Sequence, residues 1–294
     1  MTAAERGLLL LCSRLGDRTA HPLTLTQFYI LRMQLGELVP PDREARLTVQ
    51  ALRDAGIGTA LAARMMALLS RESVLELYLS RAARFGIGVV TRLSPYYPDA
   101  LEEKLGKLAP PVLYCRGDVR LLSEKCVGVV GSRQLLPKGR DFARKAGTLA
   151  AQEGYTLVSG NAQGADRTAQ EACLRAGGSV VVFTPQELTE LAPQERVLYC
   201  SEDGFEEPFS AGRALARNRL IHALGEKTLV AQSSLERGGT WHGSAENLKN
   251  GWSALYVCED GSEACGRLCA MGAIPVSELT SIRGLEKPGS LFDM

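Results

Sequence analysis

Short apolar runs that each end in a glycine-bearing turn constrain this chain more than any other feature. Val127-Gly-Val-Val-Gly131 leads into Ser132-Arg133. Tyr155-Thr-Leu-Val leads into Ser159-Gly-Asn-Ala-Gln-Gly-Ala-Asp166, and Thr228-Leu-Val-Ala leads, a little later, into Gly238-Gly239-Thr240. Between the second and third lies Ser179-Val-Val-Val-Phe183, ending in Thr184-Pro185. Continuous valine-rich runs read as parallel strands covered by helices on both faces. In such sheets ligands gather outside the carboxyl ends of the strands. Glycine there lets backbone N–H groups come close to an anion. The expected fold is α/β, an extended Rossmann-type and mostly parallel sheet, and the expected ligand carries phosphate.

The first part of the chain follows a different period. Leu8 to Leu11 give way to polar turns at Gly16-Asp17 and His21-Pro22, and Leu25, Phe28, Ile30, Leu31 and Met33 then suggest an amphipathic helix. Pro40-Pro41 is a break, after which helical spacing resumes through Leu47, Leu52, Leu61, Met65, Met66 and Leu69. Ala55-Gly-Ile-Gly-Thr-Ala60 reads either as a plain helical turn or as one hairpin of a helix-hairpin-helix or SAM-like module. The Gly-x-Gly turn of such a module can hold a DNA phosphate at a helix N-terminus. From Ile87 the pattern becomes strand, turn at Pro95–Pro98, short helix from Ala100 to Leu105, and strand at Pro110–Tyr114. A βαβ alternation then persists to about Val276. The expected organisation is a small all-α domain over residues 1–83, an extended Rossmann domain over 84–282, and a loop tail over 283–294 that contains Pro288 and Gly289.

A formal net charge of +1 announces no long-range field for nucleic acid or membrane, although a local basic cluster can hide in a balanced total. The longest apolar stretch, Gly7 to Cys12, is too short to span a bilayer. Met1-Thr-Ala-Ala-Glu shows no signal-peptide pattern, so the eight scattered cysteines are expected to be buried and reduced in a cytoplasmic protein. Cys265 and Cys269 share a helix face, but no CxxC or neighbouring histidine completes a tetrahedral zinc set. Neither metal nor cofactor is expected.

Several polar groups fall where a phosphate would sit. Gly131, Ser132 and Arg133 follow the first strand: the serine either caps a helix or donates to phosphate, and the arginine fork matches phosphate bidentately. Asp166, after Gly160 and Gly164, either caps the next helix or accepts from a ribose or orients Arg133. Arg217-Asn218-Arg219 interrupts an apolar-periodic helix (Leu215, Leu220, Ile221, Leu224). Arg213 and Arg217 share a face, with Arg219 roughly opposite, so that one arginine can serve a ligand and another a structural carboxylate. Arg133, Lys138 and Arg140 are candidates for the same basic pocket. Gly238, Gly239 and Thr240 offer N–H groups for a second phosphate, and Trp241 either stacks on a base or fills the core. No catalytic set emerges. His21, His222 and His242 show no spacing to a nucleophile, and neither a Gly-x-Ser-x-Gly elbow nor a Walker lysine occurs.

These motifs, in order, resemble the DprA/Smf family of DNA-processing proteins. The resemblance runs from about Ile87 to Ile282. It rests on Tyr97-Pro98-x-x-Leu101, Pro110-Pro-Val-Leu-Tyr-x-x-Gly117, Val129-Val-Gly-Ser-Arg133, Ser159-Gly-x-Ala-x-Gly-x-Asp166, Ser201-Glu202, Arg217-Asn-Arg-Leu-Ile221 and Gly272-Ala-Ile-Pro-Val276. It implies a homodimer that binds single-stranded DNA, helps load the RecA recombinase during natural transformation, and has no established catalytic activity. It also implies that Arg133, Arg217 and Arg219 line the DNA pocket. The chain departs from the family pattern at Ala169-Gln170, where Ala-His is usual, at Ala214-Leu-Ala216, where Phe-Pro is usual, and at Thr184–Thr189 and Gly238–Ala245. The alternative is a nucleotide-binding or nucleoside-monophosphate phosphoribohydrolase-like enzyme of the same superfamily, whose glycine loop and glutamate are loosely echoed by Gly238-Gly239-Thr240 and Glu246.

Overall fold

The valine-rich runs form strands because β-branched side chains pack well on a pleated surface buried on both faces. The computed structural model describes residues 1–35 and 48–285. The expected break at Pro40-Pro41, Leu47, and the tail positions Pro288 and Gly289 lie outside them. One sheet contains β1 (Ile87–Thr91), β2 (Val112–Arg116), β3 (Cys126–Val130), β4 (Thr156–Ser159), β5 (Val180–Phe183), β6 (Val197–Ser201), β7 (Lys227–Val230), β8 (Ala254–Cys258) and β9 (Ile274–Val276). Their order across the sheet is β1-β2-β6-β5-β4-β3-β7-β8-β9. From β6 to β9 all neighbours are parallel, whereas β1 pairs with β2 and β2 with β6 antiparallel. The chain steps outward from β3 through β4 and β5 to β6, then returns to start β7 on the other side of β3. That reversal between β3 and β7 is the topological switch point of a Rossmann sheet.

Five helices precede the sheet: α1 (Ala3–Cys12), α2 (Leu25–Leu35), α3 (Val49–Asp54), α4 (Thr59–Leu69) and α5 (Glu72–Arg84). A capping box between Thr2 and Glu5 starts α1, satisfying two otherwise free N–H groups. The Ala55–Ala60 segment is the turn between α3 and α4, with Ile57 buried beneath it. Within the sheet region, α6 (Asp99–Leu105) joins β1 to β2, α7 (Pro137–Gln152) follows β3 and α8 (Ala165–Arg175) follows β4. Two short helices, α9 (Ala211–Ala216) and α10 (Asn218–Leu224), precede β7; α11 (Gly238–Asn250) and α12 (Glu263–Ala270) follow β7 and β8.

Period-two alternation sends successive strand residues to opposite faces. Val127 and Val129 of β3 join the cluster under α7 and α8, with Phe142, Ala146 and Ala169. Cys126 and Val130 join the cluster on the other face, with Leu220, Ile221, Trp241 and Leu268. A third cluster ties the N-terminal helices to the antiparallel edge: Leu9, Leu52, Met65 and Leu75 share it with Ile87, Val112, Tyr114 and Phe205. In it the Tyr78 ring stands edge-on to Tyr114 (centroids 5.9 Å apart, 89° between planes) and lies 4.5 Å from that of Phe205. Arg71 reaches back to the C-terminal end of α1, donating to the carbonyls of Leu10, Ser13 (2.9 Å) and Arg14 (3.3 Å). Residue 83, the expected domain boundary, falls in the last turn of α5, and the apolar core continues across it.

No helix among the described residues is long and apolar enough to cross a membrane. Among the same residues no group of three His, Cys, Asp or Glu side chains could hold a metal ion.

Candidate phosphate-binding crevice

The loops after β3, β4 and β7 converge at the switch point on a cavity of about 450 Å³. Gly131, Ser132 and Arg133 come from the first loop, Ala162 and Asp166 from the second, and Gly238, Gly239 and Thr240 from the third. Arg217, Asn218 and His222 rise from the α9–α10 segment, and Phe209 and Leu215 stand at the rim with 56% and 47% of their surface exposed.

The loops are fixed by their backbones. Ser132 N–H donates to Gln232 O (2.9 Å), and Ser132 O accepts from Ala165 N–H (3.1 Å), binding the β3 loop to its neighbours on either side. Gly164 makes that contact feasible: its φ is +82°, and an added Cβ would lie 2.3 Å from Ser132 O and 2.5 Å from Arg133 O. Ser132 caps no helix, since α7 starts five residues later at Pro137. Arg133 is exposed and makes no hydrogen bond or ion pair with the described residues. Asp166 does not cap α8 either. Its Oδ2 accepts from Gly160 N–H and Ala162 N–H, both at 3.1 Å, and so shapes the β4 loop from within.

Arg217 is the buried cation of the site. It sits where the helical run breaks between α9 and α10, and Nη2 donates to Gly160 O (2.7 Å). Its guanidinium lies flat against Gly160, where an added Cβ would fall 1.6 Å from Nη1. Nε has no partner. Burial pushes the Arg217 pKa down, against the pull of the Asp166 charge, and Arg133 lowers it further. Burial likewise pushes Asp166 up, opposed by Arg217, by the two amides and by Arg133. Three arginines (Arg133, Arg217, Arg237) therefore face one carboxylate, whose lone pairs are already engaged by backbone N–H groups. The excess positive charge suits an anion.

The start of α11 adds to it. This helix of thirteen residues has Arg237 at its N-cap and no side-chain capping bond, so the free N–H groups of its first turn open on the crevice. Asn218 braces them by donating from Nδ2 to Gly239 O (3.0 Å).

Other sequence candidates lie elsewhere. Arg219 is not in the crevice lining: it donates through Nη1 (2.9 Å) and Nη2 to the Glu202 carboxylate and through Nε to Leu108 O (3.2 Å), with both side chains about nine-tenths buried. Burial raises the Glu202 pKa and the Arg219 charge opposes that. Arg213 is drawn away as well, donating to Asp203 (2.7 Å), Ser201 Oγ (3.1 Å) and the carbonyls of Pro185, Glu207 and Pro208. Three consecutive residues at the end of β6, Ser201-Glu202-Asp203, thus clamp two arginines, while the third, at the helix break, enters the crevice. Lys138 is exposed in the first turn of α7, outside the lining, and so is Arg140. Ser159 is buried, its Oγ bonded by Gln170 Nε2 at 2.5 Å, and Gly160 lines an adjoining cavity that shares Arg133, Arg217 and Phe209. Trp241 is core, 6% exposed. Glu246 is exposed and outside the lining, so the glutamate needed for nucleotide hydrolysis does not reach the crevice.

Phe209, Ser234 and Arg237 line the crevice without having been singled out from sequence, and His222, set aside there as a catalytic candidate, lines it too. The signal for Arg237 was its place directly before Gly238. Phe209 had none.

The geometry agrees with comparisons to known proteins. The family described as DNA recombination-mediator protein A matches residues 88–284. Among curated relatives, Protein Smf of Synechocystis is 33% identical over 158 residues, covering 49% of this chain and 39% of that protein. The DNA processing protein DprA of Bacillus subtilis is 26% identical, covering 58% of this chain and 61% of its own. These matches span less than two thirds of the relatives' length. The structure of DprA from Streptococcus pneumoniae superposes with a TM-score of 0.72 at 25% identity, covering 94% of this chain and 95% of that one. DprA from Helicobacter pylori, whose structure describes a single-stranded DNA binding mode of that protein, gives 0.57 at 25% identity over 67% of this chain and 93% of its own. Two thirds of the chain carry the family's pattern on the family's fold, and the protein belongs to the DNA recombination-mediator protein A (DprA/Smf) family.

Proposed function

We propose that this protein binds single-stranded DNA through its phosphates at the β3/β7 crevice and acts as a non-catalytic recombination mediator. The observation that carries the reading is the pairing of an exposed, unpartnered Arg133 with the buried Arg217 beside the uncapped start of α11. Such an arrangement neutralises a phosphate: the one carboxylate in the lining is held by backbone amides, and among the described residues no general base is hydrogen-bonded to the hydroxyls of Ser132, Ser234 or Thr240. The DNA processing proteins of similar sequence and fold support the same ligand class. Loading of the RecA recombinase, action in natural transformation and homodimer formation follow from the family and complete the proposal.

Fluorescence anisotropy with oligo-dT tests it. Affinity should fall steeply as salt rises from about 50 to 200 mM, because each neutralised phosphate releases counterions. Arg133→Ala should weaken all sequences about equally and reduce the salt slope by about one. Salt-independent binding, or none, would overturn the reading. Incubation with nucleoside monophosphates should release no free base.

A further inference from the structure

Two of the eight cysteines face each other across the sheet, away from the crevice. Cys115 of β2 and Cys200 of β6 are paired across the antiparallel seam, with their Sγ atoms 3.7 Å apart. They are the middle pair of the seam, between Tyr114 with Ser201 and Arg116 with Tyr199. Thr184 N–H donates to Cys200 O (2.9 Å) and Val180 N–H to Arg196 O (2.9 Å), so alternate β6 residues, Cys200 included, turn their backbone groups to β5. Cys115 and Cys200 therefore form a non-hydrogen-bonded antiparallel pair, the kind that brings Cα atoms to about 4.5 Å. A disulfide accepts roughly 4.4–6.8 Å between Cα atoms, so side-chain rotation can join the two thiols without parting the strands further. Both are buried, at 1% and 0% exposure, on the sheet face that holds Leu122, Leu198 and Leu224. The N-terminal helices cover Val112 and Tyr114 on the opposite face. Cys126 and Cys173 donate their thiols to the carbonyls of Leu121 and Ser179, whereas among the described residues those of Cys115 and Cys200 meet only each other.

We propose that Cys115 and Cys200 are a redox-sensitive staple: a hydroperoxide joins them in a disulfide that locks the antiparallel edge, with the helices packed on it, to the parallel sheet. With hydrogen peroxide, the thiolate of one cysteine attacks a peroxide oxygen and the O–O bond breaks. This leaves a sulfenic acid and a hydroxide, which takes up the proton the thiol released and becomes water. The thiol of the other cysteine attacks the sulfenic sulfur, the S–S bond forms, and the hydroxyl leaves with that thiol's proton as a second water. Two electrons pass from the thiols to the peroxide. Burial pushes the Cys200 thiol well above its ordinary pKa, so attack waits on transient parting of β2 from β6, and the rate of bridging follows the opening of the seam. The bridge ties residues 85 positions apart and so restricts the unfolded chain strongly.

The test exposes the full chain to hydrogen peroxide, alkylates the remaining thiols in denaturant and digests with trypsin in the absence of reductant. The peptides spanning residues 108–116 and 197–213 carry one cysteine each; they should be recovered joined and should separate on reduction with dithiothreitol. Urea below the unfolding midpoint should hasten the bridging. The bridged protein should unfold at a urea concentration higher by roughly 1 M. Cys200→Ala should lose both the joined peptide and the gain in midpoint. Cys12→Ser with Cys269→Ser, which removes the two half-buried thiols, should retain both. Peptide mapping of the unaltered protein guards against a variant that folds poorly. Both peptides recovered alkylated after peroxide, a sulfinic acid in place of the bridge, a bridge from either to another cysteine, a rate indifferent to urea, or a joined peptide with an unchanged midpoint would each overturn the proposal.

Discussion

Arg219→Ala should cost the protein stability, whereas Arg133→Ala should cost it ligand. The Arg219–Glu202 pair joins α10 to the end of β6 with both side chains about nine-tenths buried, and Arg219 also holds the carbonyls of Leu108 and Ala216. Removing one partner of such a pair leaves an uncompensated buried charge, at a cost of about 3–5 kcal/mol. Unfolding entropy near 2.1 cal/mol/K per residue gives roughly 0.6 kcal/mol/K for a chain of 294 residues, so the midpoint should fall by about 5–8 °C. Arg133 touches no partner, and its removal should move the midpoint by less than about 1 °C. Scanning calorimetry of both variants beside oligo-dT anisotropy reads the two effects separately. The double variant Arg219→Met with Glu202→Leu should recover most of the lost stability, because a buried pair replaced by apolar groups is often neutral or better. If Arg219→Ala weakens DNA tenfold with an unchanged midpoint, the division of labour among the arginines is refuted.

Three further outcomes are expected. Gly164→Ala should destabilise the protein by about 1–3 kcal/mol and weaken oligo-dT, since its Cβ would be driven into Ser132 O and Arg133 O at φ +82°; urea midpoints check this. Folded His222 stays neutral down to about pH 3, but the unfolded side chain takes up a proton below about 6.5, so its contribution is complete above that pH and is lost as pH falls towards 3, at up to about 1.4 kcal/mol per unit. His222→Phe should flatten that acid limb relative to wild type; Asp166 and Glu202, present in both proteins, drop out of the difference, and a limb of unchanged steepness would contradict the burial. Glu153→Ala should quicken tryptic cleavage after Arg283, because the Glu153 carboxylate accepts from Ile282 N–H (3.0 Å) and Arg283 N–H (2.7 Å) and anchors that segment beside α7.

Much of the sheet was legible in the chain because its parallel strands are buried on both faces and read as unbroken valine runs. β3, β4, β5 and β7 lie where those runs predict, and the three turns that line the crevice were visible as glycines. What a linear reading could not supply was position across the sheet. The separation of Arg213, Arg217 and Arg219 depends on Ser201-Glu202-Asp203 at the end of β6 and on a helix break at Arg217, and neither leaves a local mark on the pattern. Helical spacing alone placed Arg213 and Arg217 on one face, which holds only if the helix is continuous. His222 looked idle for the same reason: its place in the lining comes from what surrounds it, Gly243 on one side and an open cavity on the other. The helical beginning was readable as helices, but its attachment to the sheet edge was not, because Tyr78, Tyr114 and Phe205 are far apart in sequence.

That aromatic cluster bears on how the protein can be dissected. Cutting the chain near residue 84 to obtain the sheet region alone would strip the cover from Val112, Tyr114, Leu188 and Phe205 and bare the outermost strand β1. An uncovered strand edge beside an apolar face invites self-association. The shortened product should precipitate or form aggregates during purification, while the piece comprising residues 1–83 would be missing one wall of its interior.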